Sequence, residues 1–518
     1  MKSVLPLILL SWVVTTVAEG RCWLIQGVPD PVEAEFVGSA KGFVILRAPG
    51  GASSEVPLSR LSAADRRYVE RLVDDQAAPV ALTPSARPLG GKRDFKITKS
   101  EARRGEWIEP AAGTEWHFTA KDQPLPGSTI NFISTDGWVV FPEIPPSKVE
   151  ATLMDHFLVN GGPAKIGVNL RLAAYGHGCV VMARGDDFPG LWVYPGGDLQ
   201  GKPTGLKSYQ AYNRKSLPEE GSAIVSFVLK RGHTATLAEN EDGTGVSRNW
   251  VAQDHDVVID ELPKELAGKV SFVRVFPWRW TVKKGIAGAI HGNLKVGWFY
   301  DWNIGQRSTP DIEYVAIRQN LHWPGLDQDW RAKGINHLLG FNEPDRPDQA
   351  NMSVDQAIAA WPTLLKTGLR LGSPAPSDGG LGWLYEFMDK ADKRGLRVDF
   401  VAVHYYRAVP DPGDGRNAAA QFKAFLQDIH NRTRRPIWIT EWNNGANWTP
   451  HRDPNPTEQK RAIEAMIEML DETPWVERYA PFNWVEDSRK FVGDKGALTP
   501  AGEMYRDHVS PIFFQQPR

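Results

Sequence analysis

The sequence predicts a multidomain protein in which a C-terminal (β/α)₈ TIM barrel follows a small β-rich unit and an all-β sandwich-like domain. From about residue 295, apolar strand-like runs alternate with helical stretches over a length that suits a (β/α)₈ barrel. Before that point, short apolar runs separated by glycine and proline follow one another, which is typical of all-β domains. The 518 residues are enough for about three domains.

The C-terminal repeat contains seven recognisable strands. They cover residues 296–302, 312–317, 337–341, 369–372, 398–403, 436–440 and 479–484. Helical stretches lie between them, and one begins at Ser353, with Gln356 in capping-box spacing. We expect the eighth strand within residues 319–334, and the barrel domain to cover residues 289–518.

Composition favours a globular protein and excludes some partners. The chain is 42% hydrophobic and 24% charged, and its net charge of −2 gives no electrostatic basis for binding nucleic acid or anionic membranes. Neither Cys22 nor Cys179 lies in a metal-binding or redox spacing, so we expect no metal and no cofactor. Of the 20 tryptophans, 11 lie between Trp298 and Trp484, where their rings serve either the core or sugar binding.

The first 20 residues have the pattern of a signal peptide. Lys2 precedes an apolar run over residues 4–17, and Ala18-Glu19-Gly20 supplies small residues for cleavage. The run is shorter than the roughly 20 residues that cross a bilayer, although an uncleaved anchor is the alternative. We therefore predict export, to the cell surface, the periplasm or the medium.

Residues 21–73 form a compact β-rich unit, with Ser62 as the N-cap of a short helix. Its segments Ala34-Glu35-Phe36-Val37-Gly38, Val44-Ile45-Leu46-Arg47 and Val56-Pro57-Leu58 resemble the Sla homology domain 1, a small SH3-like barrel. The resemblance implies a protein partner, and in an exported protein a spacer or cell-surface attachment is equally open. Residues 74–93, rich in alanine, proline, glycine and serine, are predicted to be a linker.

Residues 94–288 are predicted to form the all-β accessory domain. Within it, residues 191–275 resemble a βγ-crystallin-like pair of Greek keys. The calcium-binding form of that motif has paired Asp or Asn residues where this chain has Ser222-Ala223 and Ala267-Gly268. We therefore expect no calcium.

Two glutamates end strands of the C-terminal repeat. Pro344 cannot continue a strand, so Asn342-Glu343-Pro344 leaves Glu343 at a strand end, and Glu441 follows the apolar run Ile437-Trp438-Ile439-Thr440. The carboxyl ends of barrel strands meet at one face. Because hydrolysis of a glycosidic bond requires two carboxylates, the pair predicts a glycan-cleaving site. The alternatives are a surface turn for Glu343 and a structural salt bridge for Glu441.

Several segments of the repeat match a known family. They are Gly297-Trp298-Phe299-Tyr300-Asp301-Trp302-Asn303, Glu313-Tyr314-Val315, Leu339-Gly340-Phe341-Asn342-Glu343-Pro344-Asp345, Ser373-Pro374-Ala375, Asp399-Phe400-Val401-Ala402-Val403-His404-Tyr405, Trp438-Ile439-Thr440-Glu441 and Leu498-Thr499-Pro500-Ala501-Gly502. Together they resemble the Asl-like glycosyl hydrolase catalytic domain of glycoside hydrolase family 128. The resemblance implies a retaining hydrolase similar to β-1,3-glucanases that acts on β-glucan. By position, it makes Glu343 the acid/base and Glu441 the nucleophile.

Six further residues are candidates for substrate binding. Each has an alternative role in backbone capping or core packing. They are Asn342, His404, Tyr405, Trp302, Trp442 and Trp484.

One segment departs from the family. After Glu313-Tyr314-Val315 the family usually has a proline, a methionine and a tryptophan-glycine pair, whereas this chain has Ala316-Ile317-Arg318-Gln319-Asn320. The missing tryptophan is expected to remove a sugar platform. Two other functions remain open: hydrolysis of another β-linked glycan, and glycan binding without turnover.

Overall fold

The computed structural model describes most of the chain. The described residues are 21–62 except 27, 29–30 and 41; 65, 66 and 69; 96–99; 107–217 except 120–123 and 125; and 223–516 except 515. The predicted signal peptide and the predicted linker lie outside them. Among the described helices, none has the length and apolar character needed to cross a membrane.

The N-terminal region is a four-stranded antiparallel sheet in the order β1-β2-β3-β4. Its strands are β1 (Arg21–Trp23), β2 (Val32–Ala40), β3 (Phe43–Arg47) and β4 (Ser53–Pro57). A bridge between Ile25 and Leu61 adds the end of the segment to the sheet. The core forms around Trp23, whose indole nitrogen donates a hydrogen bond to the carbonyl of Ala34 at 2.8 Å.

The next region, residues 96–183, contains two mixed sheets and one helix. The sheets have the orders β11-β10-β8-β6 and β12-β13-β9-β7-β5, and both include parallel neighbours. The elements are β5 (Lys96–Lys99), β6 (Trp107–Ile108), β7 (Thr114–His117), β8 (Thr129–Phe132), β9 (Trp138–Phe141), α1 (Pro146–Leu153), β10 (Phe157–Val159), β11 (Gly162–Pro163), β12 (Leu170–Tyr175) and β13 (Gly178–Ala183). Helix α1 and the parallel pairs distinguish this region from the antiparallel sandwich that the sequence predicts.

Residues 191–277 form two antiparallel sheets around one apolar core, as the sequence predicts for a sandwich. The sheets have the orders β15-β14-β17-β20 and β16-β21-β18-β19. The strands are β14 (Leu191–Tyr194), β15 (Thr204–Leu206), β16 (Gln210–Asn213), β17 (Ser226–Leu229), β18 (His233–Ala238), β19 (Ser247–Ala252), β20 (Val257–Ile259) and β21 (Phe272–Pro277). The βγ-crystallin resemblance of this stretch stays a prediction.

Buried charges join these two β regions. The ammonium group of Lys230 lies 3.2 Å from Asp136 and 2.6 Å from Asp256, and Arg231 lies 3.0 Å from Glu115. Because each buried charge has an opposite charge beside it, the cost of removing the charges from water is offset. The predicted accessory domain is therefore two β regions joined by buried ion pairs and by an apolar cluster that includes Trp138 and Val251.

The C-terminal domain alternates parallel strands and helices. Its strands are β22 (Gly285–Ala287), β23 (Trp298–Tyr300), β24 (Glu313–Tyr314), β25 (Ala316–Ile317), β26 (His337–Leu339), β27 (Arg370–Leu371), β28 (Val401–Tyr405), β29 (Ile437–Trp442) and β30 (Val476–Pro481). Its helices are α2 (Trp330–Lys333), α3 (Val354–Leu365), α4 (Leu381–Lys393), α5 (Gly415–Thr433), α6 (Pro456–Glu472) and α7 (Pro500–Asp507). The capping box predicted at Ser353 is present at the start of α3.

Parallel pairings link these strands in sequence and return from the last to the first. Within the three sheets the orders are β22-β23-β24, β25-β26-β27 and β28-β29-β30. Only Val315 separates β24 from β25, a parallel bridge between Gly372 and Phe400 joins the second sheet to the third, and one between Lys284 and Tyr479 joins β30 to β22. The eighth strand is thus β22, and the expectation that it lies within residues 319–334 is wrong. Three residues are too short a run to stand out in a glycine-rich segment.

Alternate residues of the strands face two different cores. Trp298, Phe400 and Trp438 belong to the core inside the strands, whereas their neighbours Phe299 and Val401 belong to the core between strands and helices. This period of two is the side-chain alternation of a strand.

A buried charged cluster occupies the amino-terminal ends of the strands. Glu313 lies 2.7 Å from both His337 and Arg478, and Arg370 pairs with Glu477. Trp278, at the end of the second β region, and Phe514, in the C-terminal tail, cover this cluster. The β regions therefore contact the end of the domain that lies opposite the two predicted catalytic glutamates.

Candidate active site

Glu343 lies in the loop that follows β26, and its backbone is strained. Its φ of 39° is in the left-handed region, which residues other than glycine rarely adopt. The carbonyl of Ala375 accepts a hydrogen bond from its amide at 2.8 Å and holds this conformation. Trp302, at φ 55°, is strained in the same way. Strain of this kind concentrates at functional sites, and here it occurs at two residues of one cavity.

A β-bulge directs Glu441 into the same space. In β29, Ile439 pairs with Val403 and Glu441 pairs with His404, so Thr440 is an extra residue. The bulge interrupts the alternation of side chains, because Ile439 and Trp442 both face the helices while Glu441 faces the opposite way.

His404 brings the two glutamates together. Its Nδ1 lies 2.9 Å from Oε1 of Glu343 and 3.6 Å from Oε2 of Glu441. One ligand atom from each of the three side chains lies within 4.8 Å of the others. The two carboxylates that sequence reasoning selected are therefore neighbours across one small site.

Glu441 accepts hydrogen bonds from three neutral donors. Its Oε1 accepts from the Trp302 indole at 2.8 Å and the Tyr300 hydroxyl at 3.2 Å, and its Oε2 accepts from the Tyr406 hydroxyl at 2.7 Å. Burial, and then the charge of Glu441, raises the pKa of both tyrosines well above the ordinary value, so both keep the protons that they donate. Together these donors fix the position of both carboxylate oxygens of Glu441.

The surroundings of Glu343 and His404 shift their pKa values in opposite directions. Burial favours the neutral form of Glu343, but the hydrogen bond and positive charge of His404, with Arg346 at 3.5 Å, lower the pKa of this carboxyl. Burial opposes charge on His404, but Glu441 and Glu343 raise its pKa above the ordinary value. The proton of this pair therefore resides on His404 in the free site, directly beside Glu343.

A cavity of about 370 Å³ opens over the two glutamates. Its other lining residues are Trp302, Gln319, Asn342, Gln349, Phe482 and Trp484. Trp484 is half exposed and packs edge-to-face against Trp302. Gly288 permits this position, because a Cβ atom there would lie 2.0 Å from the Trp484 ring. Asn342 is buried, and its Oδ1 has no hydrogen-bond partner among the described residues.

Four of the six predicted binding residues, Asn342, His404, Trp302 and Trp484, lie at the site, and the other two do not. Tyr405 is fully buried and stacks on Phe422 at 3.8 Å between strand and helix. Trp442 is also fully buried, in the core that faces the helices. The predictions that Tyr405 and Trp442 bind substrate are therefore wrong, because both side chains face away from the cavity.

Sequence reasoning missed two hydrogen-bond donors to Glu441, Tyr300 and Tyr406. Alternation along β28 contained a usable signal. If His404 faces the site, then Tyr406 faces it too, and Tyr405 does not. Tyr300 is related in the same way to Trp302.

Glu343, His404 and Glu441 are also residue types that bind divalent metals. Oε1 of Glu441 already accepts two hydrogen bonds from neutral donors, whereas Oε2 accepts one. Oε2 is therefore the Glu441 oxygen with a lone pair left for a further contact.

Comparison with known proteins agrees with this geometry. Residues 278–505 match the family model of the glycosyl hydrolase catalytic core, and residues 17–77 match that of SLA1 homology domain 1. Alkali-sensitive linkage protein 1 of Schizosaccharomyces pombe is 30% identical over 232 residues, which are 41% of this chain and 40% of the relative. The chain thus spans about two fifths of the length of this curated relative.

Two solved structures are also similar. An endo-β-1,3-glucanase of glycoside hydrolase family 128 (subgroup I) from Amycolatopsis mediterranei, in complex with laminaritriose, is 36% identical and matches 43% of this chain and 98% of that chain, with a TM-score of 0.38. A curdlan-specific exo-β-1,3-glucanase of subgroup III from Blastomyces gilchristii is 28% identical and matches 44% of this chain and 98% of that chain, with a TM-score of 0.36.

Two adjacent glutamates at the carboxyl ends of parallel strands define a glycosidase-type site. Residues 278–505 thus match the glycosyl hydrolase catalytic core family, and residues 17–77 match the SLA1 homology domain 1 family. The resemblances to the glycosyl hydrolase catalytic domain and to the Sla homology domain 1 are confirmed.

Proposed function

We propose that the C-terminal domain is a (β/α)₈ barrel that hydrolyses β-1,3-glucan with retention of configuration at the anomeric carbon. The observation that carries the proposal is the contact of His404 with both Glu343 and Glu441. Ligand atoms within 4.8 Å agree with the separation of about 5–5.5 Å between the carboxyl groups of retaining glycosidases, and not with the 6.5–9.5 Å of inverting ones.

In the first step, an oxygen of Glu441 attacks the anomeric carbon, and the bond to the leaving oxygen breaks. The three donors to Glu441 hold its carboxylate in place for this attack. The leaving oxygen takes a proton from Glu343. Because the free site holds this proton on His404, we infer that bound sugar, by excluding water, raises the pKa of Glu343 and draws the proton along the 2.9 Å hydrogen bond.

In the second step, water attacks the glycosyl-enzyme and releases Glu441. Glu343 takes a proton from this water and passes it to His404 along their hydrogen bond, which restores the starting state of both groups. His404 thus holds the proton that Glu343 transfers in each direction.

The substrate is argued from sequence similarity. The matched segment is 36% identical to the endo-β-1,3-glucanase, and the family resemblance of the motifs implies a β-1,3-glucan. Neutral aromatic and amide side chains line the cavity beside the glutamates, which suits an uncharged sugar.

The first experiment is hydrolysis of linear β-1,3-glucan by the full chain, alongside β-1,4-glucan and mixed-linkage glucan. NMR of the first product distinguishes retention from inversion, because retention releases the β anomer first. Glu343→Gln and Glu441→Gln serve as matched variants, since each removes one carboxylate at nearly constant volume. If the chain cleaves another glycan instead, the proposed substrate is wrong. If the unaltered chain binds β-1,3-glucan without cleaving it, the proposed hydrolase activity is wrong.

We also propose that the enzyme acts outside the cytoplasm, where the SLA1 homology domain 1 region attaches it to a protein partner or to the cell surface. The signal-peptide pattern of residues 1–20 supports export. Cell fractionation with and without these residues tests export, and recovery of both forms in the cytoplasm would refute it. Removal of residues 21–73 tests attachment, because an attached enzyme would then move to the medium.

A further inference from the structure

Large apolar side chains are exposed at only a few positions of the described C-terminal domain, and most of them are on one face. Trp323 is 45% exposed, Trp448 58%, Trp484 50% and Val509 73%. All three tryptophans lie in loops that follow the carboxyl ends of parallel strands, on the face that holds Glu343 and Glu441. Exposed tryptophans confined to that face indicate a binding surface rather than random exposure.

Trp323 lies in a tight loop that begins at the cavity. Gln319 lines the cavity, and its carbonyl accepts a hydrogen bond from the amide of Asn342 at 2.9 Å. The next residue, Asn320, donates its amide to the carbonyl of Trp323 at 3.0 Å. This bond closes the loop on itself, so Trp323 stays within one turn of the cavity wall.

The loop is held in place from both sides. The side-chain oxygen of Asn320 accepts hydrogen bonds from the amides of His322 and Trp323, each at 2.9 Å. The guanidinium of Arg318 donates to the carbonyls of Leu321 and Pro324. With its backbone fixed before a ligand arrives, Trp323 loses little conformational freedom on binding.

The position of the loop in the strand order places Trp323 in line with Trp302 and Trp484. Trp484, Trp302 and Trp323 follow the last, second and third strands of the domain in turn, so they form an arc along the mouth. One end of the arc is next to β29, which carries Glu441, and the other is next to β26, which precedes Glu343. A sugar chain that follows the arc passes both glutamates.

We propose that Trp323 is a platform for the sugar units on the leaving-group side of the cleaved bond. The inference rests on the proposed function, in which Glu343 protonates the leaving oxygen. It assigns the substrate as a β-1,3-glucan chain that continues beyond the cavity on the side of Glu343, so that cleavage is internal. The platform stands on the loop where the sequence lacks the tryptophan that its family usually has.

The experiment compares Trp323→Ala with the unaltered full chain on β-1,3-linked glucose oligomers of two to eight units. We expect kcat/KM to fall about tenfold for the longer oligomers, as a lost aromatic contact of about 1.4 kcal/mol would give, and to be unchanged for the shortest cleaved oligomer. Trp323→Phe should restore most of the loss. Trp107→Ala is the control, because Trp107 is 55% exposed but lies in the β regions.

The outcomes separate this inference from the proposed function. If the unaltered chain cleaves the oligomers and Trp323→Ala shows the same dependence on length, Trp323 is not a platform. If the unaltered chain cleaves none of the oligomers, the proposed function fails. Calorimetric titration of the longest oligomer into Glu441→Gln, with and without Trp323→Ala, then decides whether Trp323 is a platform. Weaker binding with Trp323→Ala supports the platform, whereas equal binding in the two proteins or no binding in either overturns it.

Discussion

The two ends of the C-terminal domain each contain a histidine next to glutamate, yet their surroundings differ. At the amino-terminal ends of the strands, His337 and Glu313 lie among Arg370 and Arg478, and burial, with these cations, lowers the pKa of His337 to about 4. At the carboxyl ends, His404 lies between two carboxylates, which raise its pKa. The two glutamates and two arginines of the first cluster balance in charge while its histidine is neutral. In the second cluster, the two carboxylates favour a protonated histidine.

This difference separates a structural role from a chemical one. The lower cluster is fully buried under Trp278 and Phe514, and every carboxylate in it has an arginine partner. In the upper cluster, the donors that hydrogen-bond Glu441 are neutral hydroxyl and indole groups, its charged neighbour is His404, and a cavity lies above it. A carboxylate that faces a cavity and has a titratable neighbour is suited to react with a substrate.

Removing one carboxylate from each cluster should give the largest contrast. We expect Glu441→Gln to lower kcat by at least about 10³-fold with little change in stability, because the proposed nucleophile is lost. We expect Glu313→Gln to lower the free energy of unfolding by about 3–5 kcal/mol, because Arg478 loses its buried partner. Urea unfolding and activity per folded molecule measure the two effects. A Glu441→Gln variant that stays active would refute the chemical role assigned to the cluster at the carboxyl ends of the strands.

Two adjacent tyrosines test the same contrast within one strand. Tyr406→Phe removes a hydrogen bond to Glu441, and bonds to charged groups contribute about 1.5–3 kcal/mol, so kcat/KM should fall roughly 10- to 100-fold. Tyr405→Phe is the matched control, because the Tyr405 hydroxyl is buried without a hydrogen-bond partner in the described structure. We expect unchanged activity and unchanged or slightly higher stability for it. Equal losses in both variants would contradict the assignment of Tyr406 to the site.

The smallest effects should be opposite pH dependences of the two histidines. Because the folded pKa of His337 is below its unfolded value, the unfolded chain binds the proton first, so this group makes stability rise between about pH 4 and pH 6.5. The folded pKa of His404 is raised, so its contribution is complete below its unfolded value and is lost as pH rises through the folded one. The free energy of unfolding, measured against pH, should lose the first dependence in His337→Gln and the second in His404→Gln.

The activity profile adds a second readout. In His404→Gln the proton that serves the leaving group is bound by Glu343 alone, and we expect the basic limb of kcat/KM to move to lower pH. His337→Gln should not move that limb. A basic limb that stays in place in His404→Gln would show that His404 does not hold the proton.

The sequence predicted the alternating architecture and both glutamates for a physical reason. Runs with a period of two, ended by Pro344 or by a charge, specify a strand and its end without reference to the rest of the chain. What it could not predict depended on contacts distant in sequence. Strand β22 has three residues, and only its pairing with β23 and β30 identifies it.

The errors at Tyr405 and Trp442 have one cause. Both residues were selected for their closeness in sequence to the site residues His404 and Glu441, whereas neighbouring residues of a strand face opposite ways. The bulge at Thr440 made the direction harder to predict, because it moved Glu441 and Trp442 out of the register that Ile437 establishes. The same alternation, applied from His404, would have selected Tyr406.

The extra residue in β29 has a consequence for comparing genes. Loss of the single codon for Thr440 would restore one-to-one pairing with β28 and keep Glu441 opposite His404, because Glu441 would then follow Ile439 directly and neighbouring residues of a strand face opposite ways. A homologue whose strand is shorter by this one residue would therefore still direct its glutamate into the cavity. Homologues with and without the bulge would differ in an alignment by a gap next to the glutamate, and that gap alone would not indicate loss of the site.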